Sequence, residues 1–268
     1  MVTELRDMAV ARRAFRWAEH HLAVQAVLNK EIVAPIYVDD VKDPKYAFTW
    51  VGRRIYLSGD PGDATLRKEF NMLFNSQYVD GWLNFQIRFS VYPDRQEWVP
   101  ALRELFWDGE FTEGTRQYYR LRLDDSIRGE LPDGYEFAEV NQTLINKPYD
   151  NIERLAEEAV SERDGLEDFL GKSFGVAALR GREVAGWALS EYNTGDSFEV
   201  GIETVDSHRR KGIATTLARE LYRAGYRRGY RQAGWHCWKS NEASVATARK
   251  LGMEHVKDYP SCSIHVPL

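Results

Sequence analysis

Apolar positions in the second half of the chain alternate between the two-residue period of strands and the three-to-four-residue period of helices. SFEVGIETV (197–205) predicts a central strand. From Gly212 the spacing turns helical: Ile213, Leu217 and Leu221 lie four apart, with Ala214, Ala218 and Tyr222 beside them on one face. QAGWHCWKS (232–240) is short and nearly all apolar, as a strand buried on both faces would be. NEASVATARKLG (241–252) predicts a helix closing at Gly252, in the position of a C′ glycine, and CSIHV (262–266) a last strand. Ahead of these, YEFAEV reads as a strand, NIERLAEEAVSE and GLEDFLG as helices, and FGVAALRG with EVAGWALSEYNTG as a hairpin. A strand, a helix and a strand in that order argue for an α/β sheet with a parallel pair around the Gly212 helix.

The first half is less regular. Residues 3–29 carry helical spacing through Phe15, Ala18 and Leu22. IVAPIYV, YAFTWV and RRIYLSG are short aromatic and β-branched runs, read as strands joined by polar turns. Residues 70–93 form a mixed aromatic stretch that includes Trp82 and Phe89. QEWVPALRELFWDG then looks helical, with Trp98, Leu102, Leu105 and Phe106 on one side, and TRQYYRLRL looks like a strand. The polar segment 124–134, with Pro and Gly, is taken as a boundary between an α+β N-terminal domain (1–132) and an α/β domain (133–268).

Composition suits this division: 268 residues are comfortable for two domains, and 43% hydrophobic with 29% charged residues is the balance of a soluble globular protein. The two cysteines, Cys237 and Cys262, offer no disulfide framework, and the charged N-terminus lacks the apolar core of a signal peptide. No apolar run approaches the ~18 residues of a membrane span, so a cytoplasmic protein is expected. The net charge of −5, with neither half basic, argues against nucleic acid as a partner. No metal site is expected.

Charge matters locally. From Glu203 to Gln232 there are eight basic and three acidic residues, a local +5 in an acidic chain. There a strand runs into a basic turn (Arg209, Arg210, Lys211), then Gly212, then the long helix. The free N–H groups and positive dipole end of a helix N-terminus suit a pyrophosphate, and Gly212 allows close backbone approach.

RRKGIA (209–214) fits the (Q/R)xxGx(G/A) signature of the GNAT superfamily, the Gcn5-related N-acetyltransferases, and NEASVATARKLGM (241–253) is similar to a later motif of that fold. The resemblance covers about residue 135 to the C-terminus. WHCWKSN (235–241) also resembles a subset that includes zwittermicin-resistance-type acetyltransferases. The resemblance implies a GNAT fold, a central mixed sheet in the C-terminal half, preceded by the α+β domain, which could be a degenerate GNAT-like copy. It implies acetyl-CoA as cofactor and acetyl transfer to an amine, with the backbone of Thr204 and Val205 along the pantetheine arm. Arg209, Arg210, Lys211, Gly212, Ile213, Ala214 and Thr215 would hold the pyrophosphate, with Asn241 and Ser244 beside the arm.

An attacking amine must lose a proton, which a carboxylate can take directly or through water. Glu199 aligns with the strand glutamate serving as base in several GNAT enzymes; Glu203, four residues on, shares its face. Where many members place a general-acid tyrosine, this chain has Ala248, leaving His236, Cys237 or Tyr259 as groups able to protonate the thiolate. Residues 150–168 hold eight acidic and two basic side chains, a field that would attract a cationic small-molecule amine. Two other classes stay open: a non-catalytic acyl-CoA-binding regulatory domain, and an aminoacyl-tRNA-dependent tandem GNAT transferase.

Overall fold

The structure, a computed structural model, describes residues 2–74, 87–106, 110–161, 163 and 165–266. The chain divides into two compact units, one of Met1–Gln117, Trp238–Ser240 and Asp258–Leu268, the other of Tyr118–Cys237 and Asn241–Lys257. The division thus falls inside a strand at Gln117, earlier than the polar segment 124–134, and the end of the chain rejoins the first unit.

In the first unit, β1 (Thr3–Glu4), α1 (Met8–Ala14) and α2 (Leu22–Leu28) precede β2 (Ile36–Val38), β3 (Ala47–Val51) and β4 (Arg54–Ser58); α3 (Ala64–Phe74), β5 (Ile87–Pro93), α4 (Trp98–Leu105) and β6 (Glu110–Arg122) follow. The helical spacing of 3–29 becomes two helices. Asp7 caps the first, accepting from Ala9 N at 2.8 Å, and a 3-10 turn at Arg16–Ala18 redirects the chain while Phe15 and Ala18 stay buried. β1 to β4 form an antiparallel ladder, and β5 adds to β4 in parallel. Its core gathers Phe48, Leu57, Phe70, Phe74, Phe89, Trp98, Leu102 and Cys262. Helix α3 begins the stretch read as mixed: Leu66, Phe70 and Phe74, four apart, are all buried, and Asp63 caps Thr65 and Leu66. Trp82 lies outside the described residues.

The second unit contains β7 (Glu136–Glu139), α5 (Gln142–Ile145), α6 (Ile152–Val160), α7 (Leu166–Lys172), β8 (Gly175–Arg180), β9 (Glu183–Thr194), β10 (Ser197–Thr204), α8 (Ile213–Arg227), β11 (Gln232–Trp238), α9 (Glu242–Lys250) and the start of β12 (Glu254–Val266). Its strands run in the order β6-β11-β10-β9-β8-β7. Pairing is antiparallel from β7 to β10 and parallel between β10 and β11, the pair that flanks α8. Alternation along β10 sets the two faces. Phe198, Val200 and Ile202 join Ile213, Leu217, Leu221 and Trp235 on the α8 side, while Val205 and Trp187 meet Leu155, Ala159 and Phe169 of α6 and α7 on the other. The far end of β12 pairs with β5 in the first unit, Cys262 opposite Val91.

Segment 124–134 is no free linker. Ile127 and Leu131 pack on the second unit's core, and Thr216 Oγ1 donates to the Glu130 carbonyl at 3.2 Å. Its polar majority is exposed; its apolar minority docks.

Burial pushes the phenols of Tyr46 and Tyr222 well above their usual range. It pushes Tyr118 up to about 12, with nearby Glu199 adding to the shift, and the Cys262 thiol up to about 12, with Glu113 adding. The protonated forms are those that fold, so they leave stability untouched below about pH 9 and cost stability progressively as pH rises toward 12. Tyrosinate absorbance should therefore show a late step coinciding with unfolding; complete tyrosine ionisation near pH 10 with unchanged stability would contradict this packing.

Candidate cofactor and catalytic site

Strands β10 and β11 pair only from Ser197 to Glu199 against Gln232 to Gly234. Beyond that point both strands continue without pairing each other, and a cleft of about 460 Å³ opens, walled by Ile202, Glu203 and Thr204 on one side and Trp235 on the other. The N-termini of α8 and α9 close it, through Gly212–Thr215 and through Asn241, Ala243, Ser244 and Thr247. Asn241 caps α9 by accepting from Ser244 N at 3.1 Å, and Trp235 Nε1 donates to Ser244 Oγ at 3.1 Å, which fixes that wall.

The basic turn is tightly wound. Gly212 is the N-cap of α8 in the left-handed region, φ 81°, and a Cβ built on it would meet nothing within 4 Å, so the space in front of the helix end is open to a ligand. Thr215 N and its two predecessors belong to the first turn of the helix, whose N–H groups lack intrahelical partners. Arg209 and Arg210 line the cleft, whereas Lys211 folds back, its Nζ donating to the Ser207 carbonyl at 2.9 Å. This cradle fits a pyrophosphate: free helical N–H groups, two guanidinium groups, and no side chain at the point of closest approach. Val205 lies just beyond the lining, its N–H bonded to Ala185 O at 3.0 Å.

At the last paired position sits Glu199, 4% exposed. Its Oε1 is 3.3 Å from His236 Nε2, and the His236 ring stacks on Tyr118 at 4.7 Å between centroids. Opposite Glu199 in register is Gly234, where a Cβ would stand 3.1 Å from the Tyr118 ring and 3.5 Å from Glu199 Cγ. A side chain at this position would press on the Tyr118 ring, and glycine leaves it room. Glu203 is on the same face but differs in state: Arg154 of α6 pairs with it and lies over the Trp187 ring. Glu191 of β9 is a third carboxylate there, its Oε1 occupying the space a Gly201 Cβ would need. Three carboxylates thus share one face, Glu199 deeply buried and Glu203 paired with Arg154.

The remaining expectations fall in different places. Ala248 is fully buried in the α8-side core beside Val245, and Cys237 belongs to the same core. Tyr259 lies in the first unit, edge-on to His21 at 4.9 Å. Helices α6 and α7 carry most of the acidic run, though Glu162 and Asp164 lie outside the described residues. Sequence reading missed Tyr118, Glu191, Tyr135 and His208. Only Gly201 and Gly234, small residues within apolar strands, hinted that other side chains needed their space. Among the described residues no group of three His, Cys, Asp or Glu side chains could hold a metal ion, and no helix is long and apolar enough to cross a membrane.

Comparison with known proteins gives this geometry a family. The chain is 24% identical over 239 residues to an uncharacterized N-acetyltransferase, YdfB, of Bacillus subtilis (strain 168), covering 88% of this chain and 87% of that protein. The GCN5-related N-acetyltransferase-like protein of Streptococcus suis 89/1591 superposes with a TM-score of 0.70 at 21% identity, over 96% of this chain and all of that one. The GCN5-related N-acetyltransferase of Sphaerobacter thermophilus gives 0.62 at 14% identity, over 100% and 96%. These structures share the fold across both units, so the likeness is not confined to residues 135–268. A family model for GNAT acetyltransferases matches residues 13–262, and the chain belongs to that family.

Proposed function

We propose that this acetyltransferase moves an acetyl group from acetyl-CoA to the primary amine of a small cationic molecule, such as an amino-bearing antibiotic or metabolite. The observation that carries the reading is the cleft itself, with a glycine-capped helix end and two arginines at its mouth and Glu199 where its walls meet. Acetyl-CoA supplies an activated thioester when bound. Arg209, Arg210 and the first N–H groups of α8 would hold its pyrophosphate, and the unpaired edge of β10 would hold its arm. The amine nitrogen attacks the thioester carbon, the carbon–sulfur bond breaks, and coenzyme A leaves as thiolate. Glu199 accepts the proton the nitrogen sheds, directly or through water. The carboxylates of Glu191 and Glu199 favour a cationic acceptor, Glu203 being already paired with Arg154. Two buried cysteines outside any disulfide suit a reducing, cytoplasmic setting.

Calorimetry should show acetyl-CoA binding in the micromolar range, about −8 kcal/mol, and a panel of amines should yield thiol release with an added acetyl mass. A folded protein that does not bind acetyl-CoA would remove the basis of the proposal. A second reading, an acyl-CoA-binding domain without transfer, draws on Ala248, which puts a buried methyl where a hydroxyl is common. It predicts binding with no thiol release from any amine.

A further inference from the structure

Beneath the basic turn runs a chain of side chains that no motif marks. His208, 3% exposed, sits in the 3-10 turn Asp206–His208 that leads into it. Its Nδ1 is 2.7 Å from the Tyr135 hydroxyl and its Nε2 is 3.0 Å from Glu183 Oε2. Tyr135 stands just ahead of β7, with its ring edge-on to His208 and under the Arg180 guanidinium. Its oxygen accepts from Lys211 Nζ at 3.4 Å. The Tyr135 oxygen thus meets both Lys211 and His208 Nδ1, while Nε2 lies close to the Glu183 carboxylate without a hydrogen bond to it. Lys211, Tyr135 and His208 are thus linked in order, with His208 set beside the Glu183 carboxylate, which Asn151 Nδ2 contacts at 3.4 Å.

The turn needs such a support. Arg210 has φ 62°, in the left-handed region, which an L side chain holds only when its surroundings fix it. One side of the turn is tied by Arg209, through its Nε to the Thr204 carbonyl at 3.1 Å and through Asp206 at 2.8 Å. The Lys211–Tyr135–His208 relay ties the other. Lys211 itself does not line the cleft, so its charge is spent on the turn's own backbone and on Tyr135.

We propose that Tyr135 and His208 are positioning residues for the cofactor's pyrophosphate. They act through Lys211 and the backbone of residues 207–212, holding Arg210 and the open end of α8 in the geometry that receives the anion. This rests on the reading of the turn as the pyrophosphate seat. Tyr135 and Lys211 touch the turn and do not line the cleft, so the loss of their link has a signature that general loosening lacks.

The test measures binding of acetyl-CoA by calorimetry, and of S-acetyl-pantetheine, which lacks the pyrophosphate, by competition against it. Tyr135→Phe keeps the ring and deletes the hydroxyl. It should weaken acetyl-CoA about tenfold and leave acetyl-pantetheine within about twofold. Lys211→Met should do the same, and the double variant should be no worse than either single one, because both cut one relay. His208→Gln, which loses the Nδ1 partner of Tyr135, should follow the same pattern. Equal losses for both ligands, additive losses in the double variant, or unchanged acetyl-CoA affinity in Tyr135→Phe would each overturn the proposal while the site reading stands. A wild-type protein that does not bind acetyl-CoA would overturn both.

Discussion

Glu199→Gln is expected to lower the rate of acetyl transfer by roughly 10²–10⁴, the usual share of a general base, with acetyl-CoA affinity nearly unchanged. The substitution is close to isosteric, which matters because Glu199 is 4% exposed and shares the space over Gly234 with Tyr118. A smaller residue would open a cavity there and confuse chemistry with packing. Glutamine keeps the shape and can still meet His236, but it cannot take the amine's proton. Glu203→Gln is the matched control. It sits on the same face and lines the cleft, yet Arg154 already neutralises it, so its loss should change turnover by less than about threefold and act more on binding. Steady-state thiol release at saturating acetyl-CoA, with calorimetry on each variant, separates the two. If Glu199→Gln loses less than threefold, the base is Glu203 or a water chain.

What was legible beforehand followed from local periods and caps. The four-residue spacing of Ile213, Leu217 and Leu221 is the buried stripe of α8, and Asn241 and Gly252 bracket α9 as its caps, Gly252 with φ 75°. The turn before α8 could be read because its chemistry is contiguous: three cations, a glycine and a helix start within seven residues. What was hidden comes from pairing over long separations, which leaves no periodic trace. Tyr118 reaches His236 only because β6 lies beside β11, and Glu191 covers Gly201 only because β9 pairs with β10 in that register. The relay is the same case, since Tyr135 and His208 are 73 positions apart. The polar run 124–134 misled for the opposite reason: its composition was that of a linker, while Ile127 and Leu131 were enough to dock it. A cut at residue 132 would also remove Tyr119 and Leu123, both buried in the second unit's core, so binding by a fragment starting there would test folding before function.

Gly212→Val is expected to abolish acetyl-CoA binding, at least about 100-fold or roughly 3 kcal/mol, while leaving the protein folded. Two effects act together at this position. Gly212 is left-handed, φ 81°, where a β-branched side chain is strained by about 1–2 kcal/mol. That cost is modest against the stability of a domain and should lower the melting temperature by a few degrees. The second effect is specific to the ligand. Gly212 lines the cleft and a Cβ there would meet no protein atom within 4 Å, so the branched side chain of valine is expected to extend into the open space in front of the first N–H groups of α8. An anion held at a helix end must come within hydrogen-bond distance of those groups, and a branched side chain there holds it away. Gly212→Ala separates the contributions, since it brings most of the backbone strain with only one methyl. It should melt close to the valine variant but retain part of the affinity. Calorimetry and thermal melts on the three proteins decide it: a valine variant that binds acetyl-CoA as tightly as wild type would mean that the pyrophosphate sits elsewhere.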